Sequence, residues 1–511
     1  MCTPERTLSR WLCAGLTMLA LAVIMMVIEP WLMREELLLL PQPVLALAGC
    51  AMAMLIAALM DQSSCCGEEG FSKGVRILFW VGIFLLQVIV AFHGYYLSGW
   101  DAGIVMNNAY TIAVDHNPLY VDSGYFSTCP NNLLLTFLFS GIMGIFRFFA
   151  GDAGYDRCVL VLVVVQCLLN VLTGTLVAGL ARRLSGGRAE ALAALGYVGL
   201  MAFSPWIFVP YTDGYSLIIP TAIVSLAVRG KDGEKRPWIL IGILGALGYL
   251  IKPQSMIPMI AVLLLEAASL FRSQQRRRAL MKVALVLASF CLLMFPLQEA
   301  TLSTKMIAVD REQNLGAGHY FMIGQNEQNA GMYSFEDLMY SRSFPTVRER
   351  TQAQISTSLE RIRGMGFPGY LHHLARKLEF NYGDGTFGWG IIGSDFFHEE
   401  IEPKDRVLTP LLRSLTRLDG KHFKICFTWM YALWLTMLVM SVPGMLLRLS
   451  GGKQYGQALI GLSLFGAGLF NLLFESCPRY TLTAVPLYIL GAALGAASLR
   501  ERMLRKREQA S

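Results

Sequence analysis

Residues 133–150 read LLLTFLFSGIMGIFRFFA, a run in which Arg147 is the one charged side chain. At 1.5 Å of rise per residue such a stretch covers about 27 Å as a helix, close to the roughly 30 Å of a bilayer's hydrocarbon core. If it crosses, every later loop changes side. The Lys and Arg distribution decides, because short cytoplasmic loops collect positive charge. Arg182, Arg183 and Arg188 share one loop. Arg229, Lys231, Lys235 and Arg236 share the next, and Arg272, Arg276, Arg277, Arg278 and Lys282 a third. Arg448 and Lys453 follow, and then a tail with Arg500, Arg502, Arg505, Lys506 and Arg507. With the N-terminus cytoplasmic and 12 crossings that leave out 133–150, all of these fall on one side. Residues 133–150 are therefore expected to be re-entrant or interfacial.

The composition sets the environment. The chain has 511 residues, of which 54% are hydrophobic and 15% charged, with a mean hydropathy of +0.49. That is well to the apolar side of soluble domains. Apolar stretches recur at 11–28, 37–60, 77–98, 158–181, 190–208, 211–229, 237–252, 254–271, 282–299, 424–447, 457–475 and 480–499. Inside a bilayer each must satisfy its own backbone polar groups, so each reads as a helix. The expected fold is an all-α polytopic membrane protein with about 12–13 transmembrane helices. The first span follows a short basic start without an A-x-A-like cleavage site and reads as retained. The net charge of +7 is inner-leaflet bias and gives no reason to expect nucleic acid.

This topology puts two large segments on the outer face. One runs from Gly99 to Asn132 and carries Asp101, Asp115, His116, Asn117, Asp122, Tyr125, Asn131 and Asn132. The other runs from about Glu299 to Phe423, long enough for a small helical domain. The implied division is 1–76, 77–299, 300–423 and 424–511. The short outer turns are EPWLMREE at 29–36, PYTDG at 210–214, KPQ at 252–254 and ESCPRY at 475–480. Apart from Arg34 beside Glu35 and Glu36, they hold two cations, Lys252 and Arg479. Each abuts a proline, where a helix breaks and frees backbone groups. A snorkelling anchor is the plain reading of either one. Two on the side where positive charge is scarce, with Asp101, Asp213 and Glu475 beside them, point toward an anionic ligand such as a phosphate.

Several motifs then fall into an order. They are GWDAG at 99–103, YFSTCPNN at 125–132, RRLSGGR at 182–188, GALGYLIKP at 245–253, HYFMIGQNEQNAGMYS at 319–334, NYGDGTFGWG at 381–390 and ESCPRYTLTAVPLY at 475–488. Over residues 77–499 this order resembles the GT-C type, polyprenyl-phosphate-sugar-dependent glycosyltransferases. It is close to glycosyltransferase family 39 and its protein mannosyltransferase and aminoarabinose transferase relatives, including bacterial cell-envelope members. Cys129 stands before the proline where that resemblance leads one to expect an aromatic.

The resemblance implies a transferase that moves a monosaccharide from a polyprenyl-phosphate carrier to a cell-envelope glycan, lipid or protein. Asp101 would be the general base and Lys252 and Arg479 the cations on the donor phosphate. A lone carboxylate without a paired nucleophile implies single displacement with inversion. Asp115, Tyr125, Asn131, Asn132, Asp213, Gln325, Asn326, Asp384 and Glu475 would line the substrate, with His319, Tyr320 and Trp389 at motif positions.

Plainer readings stand beside these. Asp101 is equally a helix N-cap, Asp213 equally an Asp-Gly turn residue, and Glu475 a local partner for Arg479 four positions on. His372 and His373 read as surface residues of an amphipathic helix. No Cys/His spacing suits zinc and no Gly-rich nucleotide loop is present, which favours a lipid-linked donor. No cofactor is implied, and assistance by a divalent cation stays open. Most of the 11 cysteines lie in or near spans. Cys65 and Cys66 sit in a cytoplasmic loop, and Cys129 and Cys477, both outside, are a candidate disulfide. The rival functions are a lipid-linked glycan transporter or flippase, and a polysaccharide polymerase.

Overall fold

The structure, a computed structural model, describes residues 38–62, 71–115, 123–230, 234–271, 275–447 and 454–510. The expected span at 11–28, the turn at 29–36, Cys65, Cys66, His116, Asn117 and Asp122 lie outside these residues. In chain order the helices are α1 (Gln42–Gln62), α2 (Lys73–Gly94), α3 (Trp100–Asp115), α4 (Ser123–Thr128), α5 (Leu133–Ala150), α6 (Tyr155–Ser185) and α7 (Gly187–Tyr197). Then come α8 (Thr212–Ser216), α9 (Ile218–Arg229), α10 (Arg236–Ile251), α11 (Ile257–Ser269) and α12 (Arg276–Leu302). The following segment holds α13 (Gly316–Gly324), α14 (Phe335–Arg342), α15 (Val347–Tyr382), α16 (Trp389–Ile392) and α17 (Leu408–Thr416). The chain closes with α18 (Phe423–Leu446), α19 (Gln454–Leu473) and α20 (Val485–Ala510). One antiparallel ribbon joins β1 (Leu97–Ser98) to β2 (Phe397–Glu399). The protein is an all-α polytopic membrane protein. Seven described helices are long and apolar enough to cross a bilayer, namely α2, α5 with its leading turn, α6, α12, α18, α19 and α20 with its leading turn. Shorter apolar helices, α10 and α11 among them, fill the spaces between.

Three ion pairs orient the bundle. Glu190 takes Arg76 at 3.4 Å and Arg182 at 3.8 Å, so the start of α2, the end of α6 and the start of α7 meet at one end. Lys282 and Glu266 pair at 3.3 Å where α11 hands over to α12. We call this end the basic face. Helix α6 is therefore antiparallel to α2, and its first residues lie at the far end. Helix α5 begins there, where Asn132 donates to the Tyr125 hydroxyl, and finishes there too. Arg147, near its end, reaches the Ala153 carbonyl at 2.5 Å just before α6 begins. Both ends of 133–150 thus lie at the face opposite the basic one. The helix is unbroken over its 18 residues, so it does not turn back on itself within that stretch.

The expected span 190–208 is broken. Helix α7 passes into a π-turn at Val198–Ala202, and a 3-10 turn follows at Pro205–Phe208. Carbonyls freed in a membrane interior need donors. They come from two amides one helical turn apart on α6. Gln166 Nε2 lies 3.0–3.1 Å from the carbonyls of Trp206, Ile207 and Val209. Asn170 donates to Met201 at 3.3 Å, and Gln87 on α2 donates to Ala202 at 2.6 Å and to Asn170 at 3.1 Å. Close backbone approach finishes the packing. A Cβ on Gly444 of α18 would meet the Gly491 carbonyl, and one on Gly495 the Met440 carbonyl, the small-residue contact that membrane helices use.

Between α12 and α18 the segment folds on long α15, which kinks at Gly366 (φ 61°) two residues before Pro368. Its C-terminal half is tied to the end of α19. Lys377 donates to the carbonyls of Gly324 at 2.7 Å and Phe474 at 2.6 Å, and Gln325 donates to Leu473 at 2.8 Å. Carbonyls orphaned at a helix C-terminus are thereby capped.

Replacing Gln166 with Leu removes the side-chain donor from the Ile207 and Val209 carbonyls and leaves the Trp206 carbonyl with the Val209 N–H alone. At about 1–3 kcal/mol for each unsatisfied group, Gln166→Leu should unfold at clearly lower temperature or detergent stress than the parent. A variant as resistant as the parent would show that these carbonyls are satisfied otherwise.

Candidate active site

Three helix breaks and one helix start meet at the face opposite the basic one. The first loop enters from α2 through β1, whose partner β2 holds it in place. Gly99 donates its N–H to the Phe396 carbonyl at 2.9 Å, and Trp100 takes a left-handed φ of 50°. That turn puts Asp101 in the first turn of α3, inside the helix and not at its N-cap. A carboxylate is favoured there by the exposed N–H groups. Asp101 is solvent-exposed and accepts from the Tyr211 hydroxyl at 3.4 Å. The same hydroxyl lies 3.4 Å from Asn132 Oδ1, whose Nδ2 donates to the Tyr125 hydroxyl at 2.6 Å.

Two residues beyond Tyr211, Asp213 in the first turn of α8 is buried and takes both cations. Lys252, at the break between α10 and α11, forms an ion pair with its Oδ1. Arg479, at the break between α19 and α20, places Nε 3.6 Å from its Oδ2. Asp213 thus stands in the first turn of a helix and pairs with cations from two other breaks. Two cations and one carboxylate leave the trio with one net positive charge. The Arg479 guanidinium lies 5.0 Å from the Phe396 ring, 5.4 Å from Tyr211, 5.8 Å from Tyr480 and 5.9 Å from Trp206, and Lys252 lies 5.0 Å from Tyr480. Aromatic faces stabilise a cation without neutralising it. Arg479 Nε and Nη1 are buried without a hydrogen-bond partner, donors that an incoming oxyanion can take. Below them a cavity of about 30 Å³ is lined by Gln166, Ser204, Trp206, Tyr211 and Asp213 among others.

Glu475 is also buried. It does not form the expected ion pair with Arg479, which turns to Asp213, and its side chain bonds to Tyr480 instead. Burial pushes its pKa up to about 7, against the pull of Arg479. Nearby, Tyr320 bonds to the Cys129 side chain. Cys129 and Cys477 are both free thiols, so the candidate disulfide is not present.

Other expected contacts go elsewhere. Asp115 ends α3, 14 residues from Asp101, which is about 21 Å of helix. Asn131 is exposed. Asn326 accepts from the Gln328 N–H at 3.2 Å and donates to Asp337 at 3.1 Å, a turn-forming role, while Gln325 caps α19 as described. Asp384 acts within its own loop, taking the N–H groups of Thr386 and Gly388, each at 2.7 Å. That loop presents the Thr386 and Phe387 carbonyls to the Trp206 indole N–H at 3.0 and 3.1 Å, so Asp384 shapes the loop that holds Trp206. Tyr211, Trp206, Phe396 and Tyr480 are cleft residues that motif reading passes over. Tyr211 and Tyr480 sit beside candidates in PYTDG and CPRY, but Trp206 and Phe396 carry no local signal.

A profile described as "Conserved hypothetical integral membrane protein" matches residues 46–499. The chain belongs to that family. No curated protein matches it. Among solved structures the chain is similar to one described as the crystal structure of ArnT from Cupriavidus metallidurans bound to undecaprenyl phosphate. The identity is 15%, over 84% of this chain and 78% of that one, with a TM-score of 0.32.

Two histidines brace the segment beside the cleft. His319 meets Ser341 Oγ at 2.8 Å, and His373, expected at the surface, is buried against the Gly324 carbonyl at 2.9 Å. Burial holds both imidazoles near a pKa of about 4, below their ordinary value of about 6.5. The unfolded chain then binds more protons between those limits. The stability they contribute is full above about pH 6.5 and is lost as pH falls toward 4. Thermal unfolding of the solubilised protein should show this fall, and replacing both with Asn should flatten it. An equal slope in parent and variant would remove the histidines as its cause.

Proposed function

We propose that this protein is a GT-C-type membrane glycosyltransferase that moves a monosaccharide from a polyprenyl-phosphate carrier to a cell-envelope acceptor at the face holding the cleft. The observation that carries the reading is the Tyr211 bridge. Its hydroxyl touches Asp101 while its ring lies beneath Arg479, so an exposed carboxylate and a buried cationic pocket are separated by one side chain. A glycosyl phosphate needs that separation, with a base for the acceptor hydroxyl on one side of the anomeric carbon and positive charge for the departing phosphate on the other.

In this reading Asp101 takes the acceptor proton as the hydroxyl oxygen attacks. The glycosidic C–O bond to the carrier breaks, and the phosphate leaves onto Arg479 and Lys252. Inversion follows from the single displacement. Asp213 orients the two cations and lowers the local charge, which leaves the Arg479 N–H groups as the chief donors to phosphate. Tyr125 and Asn132 flank the acceptor side. Glu475 closes the cleft from the α19 turn. The carrier's chain would lie along the bilayer, with its phosphate at the level where α10, α19 and the broken span 190–208 end. The reading assigns no cofactor, and it places the protein in the plasma membrane with both termini cytoplasmic.

Asp101→Asn should fold and insert normally yet lose about 10²-fold or more in transfer, the span associated with a positioned base. Undiminished transfer of labelled sugar to envelope polymer would dismiss this role. Arg479→Ala should weaken binding of undecaprenyl phosphate while leaving Asp101 in place, so unchanged binding counts against the phosphate assignment. Lipid analysis of a deletion strain should reveal an accumulated polyprenyl-phosphate monosaccharide. A transporter would instead leave the carrier species on the wrong face.

A further inference from the structure

Helix α17 lies across the ends of two apolar helices. His93, in the last turn of α2, places Nδ1 2.9 Å from Thr409 Oγ1 and 2.8 Å from Asp405 Oδ2. Asp405 also caps α17, accepting the N–H groups of Val407 at 2.7 Å and Leu408 at 2.5 Å. At its other end α17 leads within a few residues into α18 at Phe423. Helices α2 and α18 are both long and apolar enough to span, so α17 sits at the depth where two spanning helices stop, the boundary of the hydrocarbon.

Its surface is divided to match. Thr409 is buried against the bundle, whereas Val407 is 76% exposed and Leu411, four residues on, 47%. Phe92 near the end of α2 and Ile425 and Trp429 early in α18 are exposed too. Around these side chains stand cations. Arg413 and Arg417 are taken by Glu400. Lys404 lies 5.5 Å from the Phe92 ring, and Arg406, Lys421 and Lys424 are exposed with no ion pair among the described residues. An exposed aliphatic stripe edged by cations, three of them outside any ion pair among the described residues though Glu402 and Asp419 are exposed on the same segment, at the depth where spans end, matches a helix lying in a membrane interface.

We propose that α17 is an in-plane anchor that seats Val407 and Leu411 in the apolar edge of the leaflet facing the cleft and binds anionic phospholipid headgroups through Lys404, Arg406, Lys421 and Lys424. It stands apart from the transferase reading, because neither its residues nor its test involves the cleft. The partner is a lipid surface carrying phosphate charge, with the aliphatic side chains setting depth and the cations setting headgroup preference. Juxtamembrane Lys and Arg each strengthen attraction to an anionic leaflet by about fivefold.

The test uses the full chain in nanodiscs of mixed phosphatidylglycerol and phosphatidylcholine. A nitroxide on Val407→Cys, read as the difference from labelled parent, should collide with oxygen more than with a water-soluble nickel chelate. In parallel, lipids retained by the parent should favour phosphatidylglycerol. The triple variant Arg406→Glu, Lys421→Glu, Lys424→Glu, altered at exposed positions that leave the fold intact, should lose about fivefold or more of that preference. A nickel-accessible label would overturn the anchor, and equal lipid preference in parent and variant would overturn the headgroup site.

Discussion

Asp213 holds Lys252 and Arg479 together, and the arrangement of the cleft follows from that contact. Neither cation belongs to the same stretch of chain as the other or as the carboxylate. They come from three breaks, before α8, between α10 and α11, and between α19 and α20. A buried charge is tolerated when it is paired, so each break supports the position of the other two. Removing the carboxylate would leave two buried like charges in one pocket. Removing one cation would still leave a neutral pair. The single surplus charge makes the pocket receptive to an anion without making it unstable when empty.

The breaks are supported from beneath by amides and from above by the segment between α12 and α18. Gln166, Asn170 and Gln87 supply donors to the unwound span at 198–209. Lys377 and Gln325 do the same for the end of α19. Asp384 shapes the loop whose carbonyls hold the Trp206 indole, and β2 fixes the peptide entering Asp101. Irregular backbone at membrane depth persists only where protein or water satisfies it, and here the lower layer of support is three amides on the unbroken helices α2 and α6, while the upper layer comes from kinked α15 and the loops around it.

Much of this was legible in the chain because bilayers impose simple rules. The apolar runs located α2, α6, α10, α12, α18 and α19 to within a few residues, since length and apolarity alone fix such helices. The loop charges argue against 133–150 crossing, although its length and apolarity suit a span. Asp101, Lys252, Arg479 and Asp213 were legible because each sits at a turn beside a proline, glycine or helix start, on the side short of charge. What was hidden has a common cause. Phe396 and Trp206 join the cleft through tertiary contacts with Arg479, and aromatic residues are too common in this chain to stand out. Asp115 and Asn326 looked like site residues because loops collect polar side chains whether or not a ligand is near. His373 looked like a surface residue because its burial depends on how α15 docks on Gly324, which no local pattern encodes.

The positions of the breaks also bear on the kind of protein this is. A transporter that alternates its access places unwound helices near the midplane, in corresponding positions of two repeated halves. Here the unwound stretch after α7, the turn at Lys252 and the turn at Glu475 to Arg479 all open toward one face. The opposite face is closed by ion pairs among Arg76, Arg182 and Glu190 and between Lys282 and Glu266. In the half containing α12 to α20, Gln457 of α19 donates to the Gly444 and Leu447 carbonyls at the end of α18, and Lys377 and Gln325 cap the end of α19; these amides serve helix ends, whereas Gln166 and Asn170 serve an unwound span. A pathway through the protein would need polar groups at both ends of the bundle with a weak point between them. A one-sided cleft with a buried cationic floor and an exposed carboxylate at its rim is instead suited to chemistry on a molecule that stays in one leaflet.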